Sequence, residues 1–163
     1  MFLLRLSSFA LAMLLTACGG LDPTVVPSFT GISGTITYVG GASAWPTPDS
    51  VFEVRVVAFD VRPTDPSQIL GALLAGKAAV SDTLPRQVAQ TAFSITVNDA
   101  PRTFEYVVVA LRYGPDFQLN WRMLDVYTLS GDATQPSPIT VNANDDKRVN
   151  FRVDFNNLPP QPF

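Results

Sequence analysis

The chain's one thiol, Cys18, follows directly on a short apolar run, and the sequence contains no histidine. A single cysteine excludes an internal disulfide and a cysteine metal site. The missing imidazole removes the commonest general base and the commonest metal ligand. Carboxylates are the remaining acid–base groups. Glu53 and Glu105 fall in strand-like segments, where either could form a carboxylate pair with a nearby Asp. Their surroundings instead predict solvated strand positions facing Arg55, Arg112 or Arg152. Ser81 and Ser94 lack a histidine to activate them, and no Ser–Lys motif is present. Asn142, Asn144, Asp145 and Asp146 crowd one turn, as oxygen ligands for Ca²⁺ would. Their spacing lacks the D-x-[DN]-x-[DN]-G pattern, and Asn and Asp are ordinary turn formers. No catalytic residue and no metal ligand set is therefore expected, and the chain does not read as an enzyme. Trp45, Tyr113, Phe117 and Trp121 lie in or beside loops. There they could stack on a sugar or anchor a protein partner, or plug the open ends of a core.

The elements that position Cys18 are those of an export signal. Met1-Phe2-Leu3-Leu4-Arg5 supplies a basic start, and Leu6 to about Leu14 is an apolar core. That core is shorter than the roughly 20 residues a membrane-spanning helix needs and matches a secretory signal. Its end, Leu15-Thr16-Ala17-Cys18, resembles the lipobox of bacterial lipoproteins: Leu, a small residue, Ala or Gly, then Cys. The resemblance implies cleavage between Ala17 and Cys18, a diacylglycerol on the Cys18 sulfur and an acyl chain on the new amine. Two or more acyl chains make a durable anchor where one does not. Beyond these covalent lipids no cofactor is expected. Gly19 after the cysteine, rather than Asp, implies sorting to the outer membrane, on its periplasmic face or at the cell surface.

Of 163 residues, 11 are basic and 14 acidic, a net charge of −3. Loss of Arg5 with the signal makes the remainder one unit more negative. No block of like charge is present, so nucleic acid is not an expected partner. The expected partners are the membrane, through the anchor, and an envelope protein or glycan.

Residues 18–30, with Pro23 and Pro27, form the lipidated cysteine and a tether. From residue 31 the pattern turns to strands. Ile32, Ile36 and Tyr38 alternate with Ser33, Thr35 and Thr37. In residues 51–61, Phe52, Val54, Val56 and Ala58 share one face. The other carries Glu53 and Arg55, then Val57 and Phe59, so it is polar early and apolar late. Asp65-Pro66-Ser67-Gln68 opens a short helix over about 66–75, with Asp65 as N-cap, Gln68 three residues on and Gly76 as the stop. Residues 78–84 and 88–97 read as extended. Phe104 to Leu111 is nearly continuously apolar, the mark of a strand buried on both faces. Segment 121–129 is mixed. Ile139-Thr140-Val141 is a short strand, and Val149, Phe151, Val153 and Phe155 alternate with polar residues. Residues 156–163 hold three prolines and read as a flexible tail.

About seven strands broken by turns predict an all-β, antiparallel β-sandwich over residues 31–155 with one short helix. Residues 32–38, the Gly/Pro loop after them, 54–59, 104–111 and the 139–141/149–151 pair resemble the transthyretin-like and carboxypeptidase-regulatory-like β-sandwiches. An immunoglobulin-like sandwich is a near variant. Where such domains carry a Pro-Gly-x-Tyr turn, this chain has Ala100-Pro101-Arg102-Thr103. The resemblance implies a fold common in bacterial surface and periplasmic lipoproteins and carries no catalytic residue. The resulting expectation is a membrane-anchored extracytoplasmic lipoprotein with a non-catalytic binding or scaffolding domain. A carbohydrate-binding accessory domain using the loop aromatics is the alternative.

Overall fold

A computed structural model describes residues 29–163. Cys18, the signal segment 1–17 and nearly all of the tether lie outside the described residues. The described chain forms nine strands and one α-helix: β1 (Gly31–Tyr38), β2 (Glu53–Phe59), α1 (Ser67–Leu74), β3 (Ala78–Val80), β4 (Gln90–Thr96), β5 (Arg102–Phe104), β6 (Tyr106–Arg112), β7 (Trp121–Val126), β8 (Ile139–Val141) and β9 (Asp146–Val153). Period-2 sequence becomes period-2 burial. In β4, Thr91, Phe93 and Ile95 are buried while Ala92, Ser94 and Thr96 are exposed; β9 repeats this with Val149, Phe151 and Val153. One buried and one wetted face is what this alternation produces.

The strands form a three-stranded sheet ordered β4-β1-β9, a four-stranded sheet ordered β3-β2-β6-β7 and a β5-β8 ribbon. The two larger sheets pack into a β-sandwich-like fold. Ile32 and Ile36 of β1, Val54 and Val56 of β2, and Val107 and Val109 of β6 join one buried cluster. Pairing is antiparallel except between β1 and β9, the first and last strands, which run parallel. A parallel pair needs a long crossover, and here the whole four-stranded sheet lies in it. Gly34 sits at this seam. A Cβ there would lie 1.6 Å from the Val149 carbonyl oxygen, so only glycine permits this approach.

Three segments differ from the sequence-based expectation. The apolar run at 104–111 is two strands rather than one. Phe104 pairs with β8, Tyr106 starts β6, and exposed Glu105 is a bend between them. The bend flips the alternation, so Phe104 faces the inner core and Tyr106 the outer side. Phe52 precedes β2 and is exposed, under the Arg112 guanidinium, instead of joining Val54 and Val56. After Val80 the ladder to β2 becomes mixed: the Ser81 N–H donates to the Val56 carbonyl (2.9 Å), while Ser81 Oγ accepts the Val56 N–H (3.0 Å).

The four-stranded sheet is covered on its outer side too. Val57, Phe59, Tyr106, Val108, Met123 and Val126 form a second buried cluster, with Ile69 and Ala72 of α1 packed on it. The helix starts where Asp65 Oδ1 accepts the Ser67 N–H at 2.8 Å, while the Gln68 side-chain oxygen accepts the Thr64 N–H. It stops at Gly76 (φ +67°), where the Gly76 N–H reaches the Leu73 carbonyl and the Lys77 N–H the Ala72 carbonyl. No residue of α1 is itself buried, so the helix roofs the sheet without sealing it. The packed structure continues past residue 155. Leu158 rests on the core, and the Gln161 amide pairs with the Met123 N–H (2.8 Å) and carbonyl (3.1 Å), capping the exposed edge of β7.

Candidate functional site: a groove on the outer sheet face

Side chains on the outer face of β2, β6 and β7 change character along the strands. Pairing sets Glu53, Arg112 and Trp121 in one row, then Arg55, Ala110 and Met123, then Val57, Val108 and Val126, and finally Phe59 and Tyr106. The face is charged at one end and apolar at the other. A groove of about 290 Å³ runs over it. Ile69 and Leu73 of α1 form one wall; Phe117, Trp121 and the tail residues Gln161–Phe163 form the other.

The charged end is a three-residue cluster. Glu53 accepts hydrogen bonds from Nε of Arg55 and, at 3.2 Å, from Nε of Arg112. Arg55 also donates to the Ser81 carbonyl and to Thr83 Oγ1, each at 2.8 Å. Burial by itself raises the Glu53 pKa. The hydrogen bonds and charges of the two arginines together outweigh it and hold the carboxyl below its usual range. Glu53 is therefore a structural anion with two cations around it. Arg122, between Trp121 and Met123, pairs with the core residue Leu111 and so points to the other face of the sheet, where its guanidinium lies 5.4 Å from the Tyr113 ring. At the apolar end, the Tyr106 hydroxyl donates to Met123 Sδ at 2.9 Å, and its burial pushes its pKa up.

Of the four loop aromatics, the structure sets two, Phe117 and Trp121, against the groove, while Tyr113 lies beside Arg122 outside it. Tyr113, Phe117 and Trp121 come from the β6–β7 connection, held by Asp116, whose carboxylate accepts the N–H groups of Gln118 and Leu119. Phe117 and Trp121 meet at 5.8 Å with their planes at 90°. Trp45 is elsewhere and is a core residue. It packs on Tyr38 (4.4 Å) and Phe155 (5.0 Å), with its indole N–H donated to the Val88 carbonyl. That placement corrects its assignment as a ligand contact.

Other sequence candidates stay apart from the groove. Glu105 is exposed at its bend, and Ser94 points outward from β4. In the acidic turn, Asp145 pairs with Lys147 (2.7 Å), and Asp146 pairs with Arg148 (2.6 Å) and accepts from the Ser33 hydroxyl (2.6 Å). Asp125, which carried no signal in the sequence, joins the two sheets. Its carboxylate accepts the N–H groups of Val126 and, across to β9, Arg152, each at 2.8 Å. Burial pushes its pKa up against both bonds.

Tyr106, Gln161 and Phe163 are groove residues that sequence reasoning missed. Their signal was indirect. An apolar late face on β2 and a doubly apolar β6 require a cover, but not which segments provide it. Comparison of the chain with protein-family models, curated proteins and solved structures returns no match.

Proposed function

We propose that this chain is a lipid-anchored binding module of the cell envelope, tethered through Cys18, that takes a small apolar ligand into the outer-face groove. The observation that carries the binding role is the groove itself, an apolar floor roofed by a helix with no buried residue and open between its walls. Ligand sites are concave and mostly apolar with few polar groups. The anchor rests on Leu15-Thr16-Ala17-Cys18 at the end of a signal-like apolar run, and Gly19 supports the outer membrane. The domain is read as non-catalytic because the chain has no histidine and Glu53, the carboxylate at the groove, is neutralised by two arginines. A sugar-stacking site has less support. Trp45 is buried, and Phe117 and Trp121 stand at right angles and offer no shared flat platform.

Two measurements test this reading. Wild-type protein should label with palmitate and fractionate with membranes, and Cys18→Ala should do neither; a membrane-bound, unlabelled variant would sink the anchor. For the groove, Trp45→Phe leaves Trp121 as the only indole. Apolar small molecules should then shift its emission saturably, and a panel with no effect would remove the binding role.

A further inference from the structure

A strand at the margin of a sheet presents unpaired N–H and C=O groups, a template for another chain. Most margins of this fold are covered, short or charged. The Gln161 amide caps β7. Strands β3, β5 and β8 are three residues long. Strand β9 carries Asp146, Lys147, Arg148 and Arg152, and Asp125 takes its Arg152 N–H. Strand β4 differs. Its seven residues, Gln90–Thr96, include no charge, proline or glycine, and they pair with β1 in an unbroken register. At its two ends the Ala89 carbonyl accepts the Tyr38 N–H, and the Val97 N–H reaches the Thr30 carbonyl. Antiparallel alternation therefore turns the backbone groups of Gln90, Ala92, Ser94 and Thr96 away from β1. The side chains of all four are exposed. Among the described residues these outward groups meet one partner, the Thr91 hydroxyl, 3.2 Å from the Ala92 carbonyl. A carbonyl has a second lone pair to offer.

We infer that β4 is a self-association edge, on which β4 of a second copy of this chain pairs antiparallel about a two-fold axis at Phe93. The two three-stranded sheets then join into one of six. In that register Ala92 lies opposite Ser94 of the second copy and Gln90 opposite Thr96, while Phe93 meets its own equivalent on the core side. The strand is its own complement. Two chains of charge −3 repel one another, and along β4 they meet without setting like charges together. Each exposed side chain gains a small or neutral neighbour instead. Four outward residues on each copy give about eight main-chain hydrogen bonds, within the roughly 10 ± 5 of a typical interface. One strand pair buries less apolar area than an obligate dimer does, so the association is reversible and depends on concentration. It is also closed, because pairing consumes the β4 edge of both copies. The groove lies on the other sheet and stays open in the dimer.

The test uses the full-length chain carrying Cys18→Ser, so that any introduced cysteine is its one thiol. In sedimentation the chain should pass from monomer to dimer as concentration rises, and no further. Ala92→Lys/Ser94→Lys sets four lysines side by side at the two-fold and should weaken the dimer about tenfold or more. Leu74→Lys/Leu129→Lys adds the same charge at two other exposed positions and should leave the dimer unchanged. Oxidation reads the register. Ala92→Cys mixed with Ser94→Cys should crosslink, since paired Cα atoms lie about 5.5 Å apart, and Ala92→Cys alone should crosslink far less. A monomer at every concentration, an open series of larger species, or a dimer that the β4 lysines leave intact overturns the proposal. So does a dimer lost equally in Leu74→Lys/Leu129→Lys. Should the β4 lysines unfold the chain by circular dichroism, the cysteine contrast decides: equal crosslinking in the mixture and in Ala92→Cys alone overturns the pairing.

Discussion

Tyr38 and Glu53 show how differently two buried polar side chains weigh on stability. The Tyr38 hydroxyl is buried without a hydrogen-bond partner among the described residues, and burial pushes its pKa well up. An unsatisfied buried hydroxyl carries its desolvation cost with no return. Tyr38→Phe should therefore raise stability by about 1 kcal/mol, read as a higher urea midpoint with an unchanged slope. Glu53 is satisfied on both oxygens, and removing its charge leaves Arg55 and Arg112 facing each other. Glu53→Gln should cost about 2 kcal/mol at pH 7, below the full cost of a broken buried pair because the arginines are partly exposed. Its folded-state pKa lies below the unfolded value. The contribution is therefore complete above the ordinary Glu range and lost as pH falls through the folded pKa. Wild type and Glu53→Gln should accordingly converge in urea denaturation as the pH falls below that range. A constant gap would mean the pair does not hold the carboxyl down.

At the level of elements, the parallel seam between β1 and β9 is the least forgiving contact. Gly34 lets the two backbones approach, and a methyl group there meets a carbonyl oxygen that belongs to the ladder itself. Gly34→Ala should cost about 3 kcal/mol, the upper end of overpacking, because strands rather than a flexible side chain must move. A melting temperature within a degree or two of wild type would contradict that seam. The opposite case is α1. It has good ends, an Asp65 start and a Gly76 stop, yet buries none of its residues and leaves Leu74 exposed. Its contribution is to form a wall, and the space beneath it is the groove.

Taken whole, the molecule is a sandwich with one face of its four-stranded sheet left partly open and a tail drawn across that side. The tail contributes Leu158 to the core, Gln161 to the β7 edge and Phe163 to the groove. Ending the chain after Asn157 should cost about 1–2 kcal/mol, from one partly buried Leu and two hydrogen bonds. Equal stability by urea denaturation would show that the tail contributes nothing. By itself, the sequence determined what depends on neighbours along the chain. It identified the alternating faces of β4 and β9, a short helix close to Ser67–Leu74 with its Gly76 stop, and a β2 face that turns from polar to apolar. Local alternation decides which side chains share a face, but it carries no information about which strand lies alongside or what covers the outside. Only the tertiary structure set β1 parallel to β9, broke the 104–111 run at Glu105 and buried Trp45. It also brought Ile69, Phe117 and Gln161 from distant segments around one groove. Those outcomes depend on contacts between residues far apart in sequence, and register and packing across the whole fold determine them.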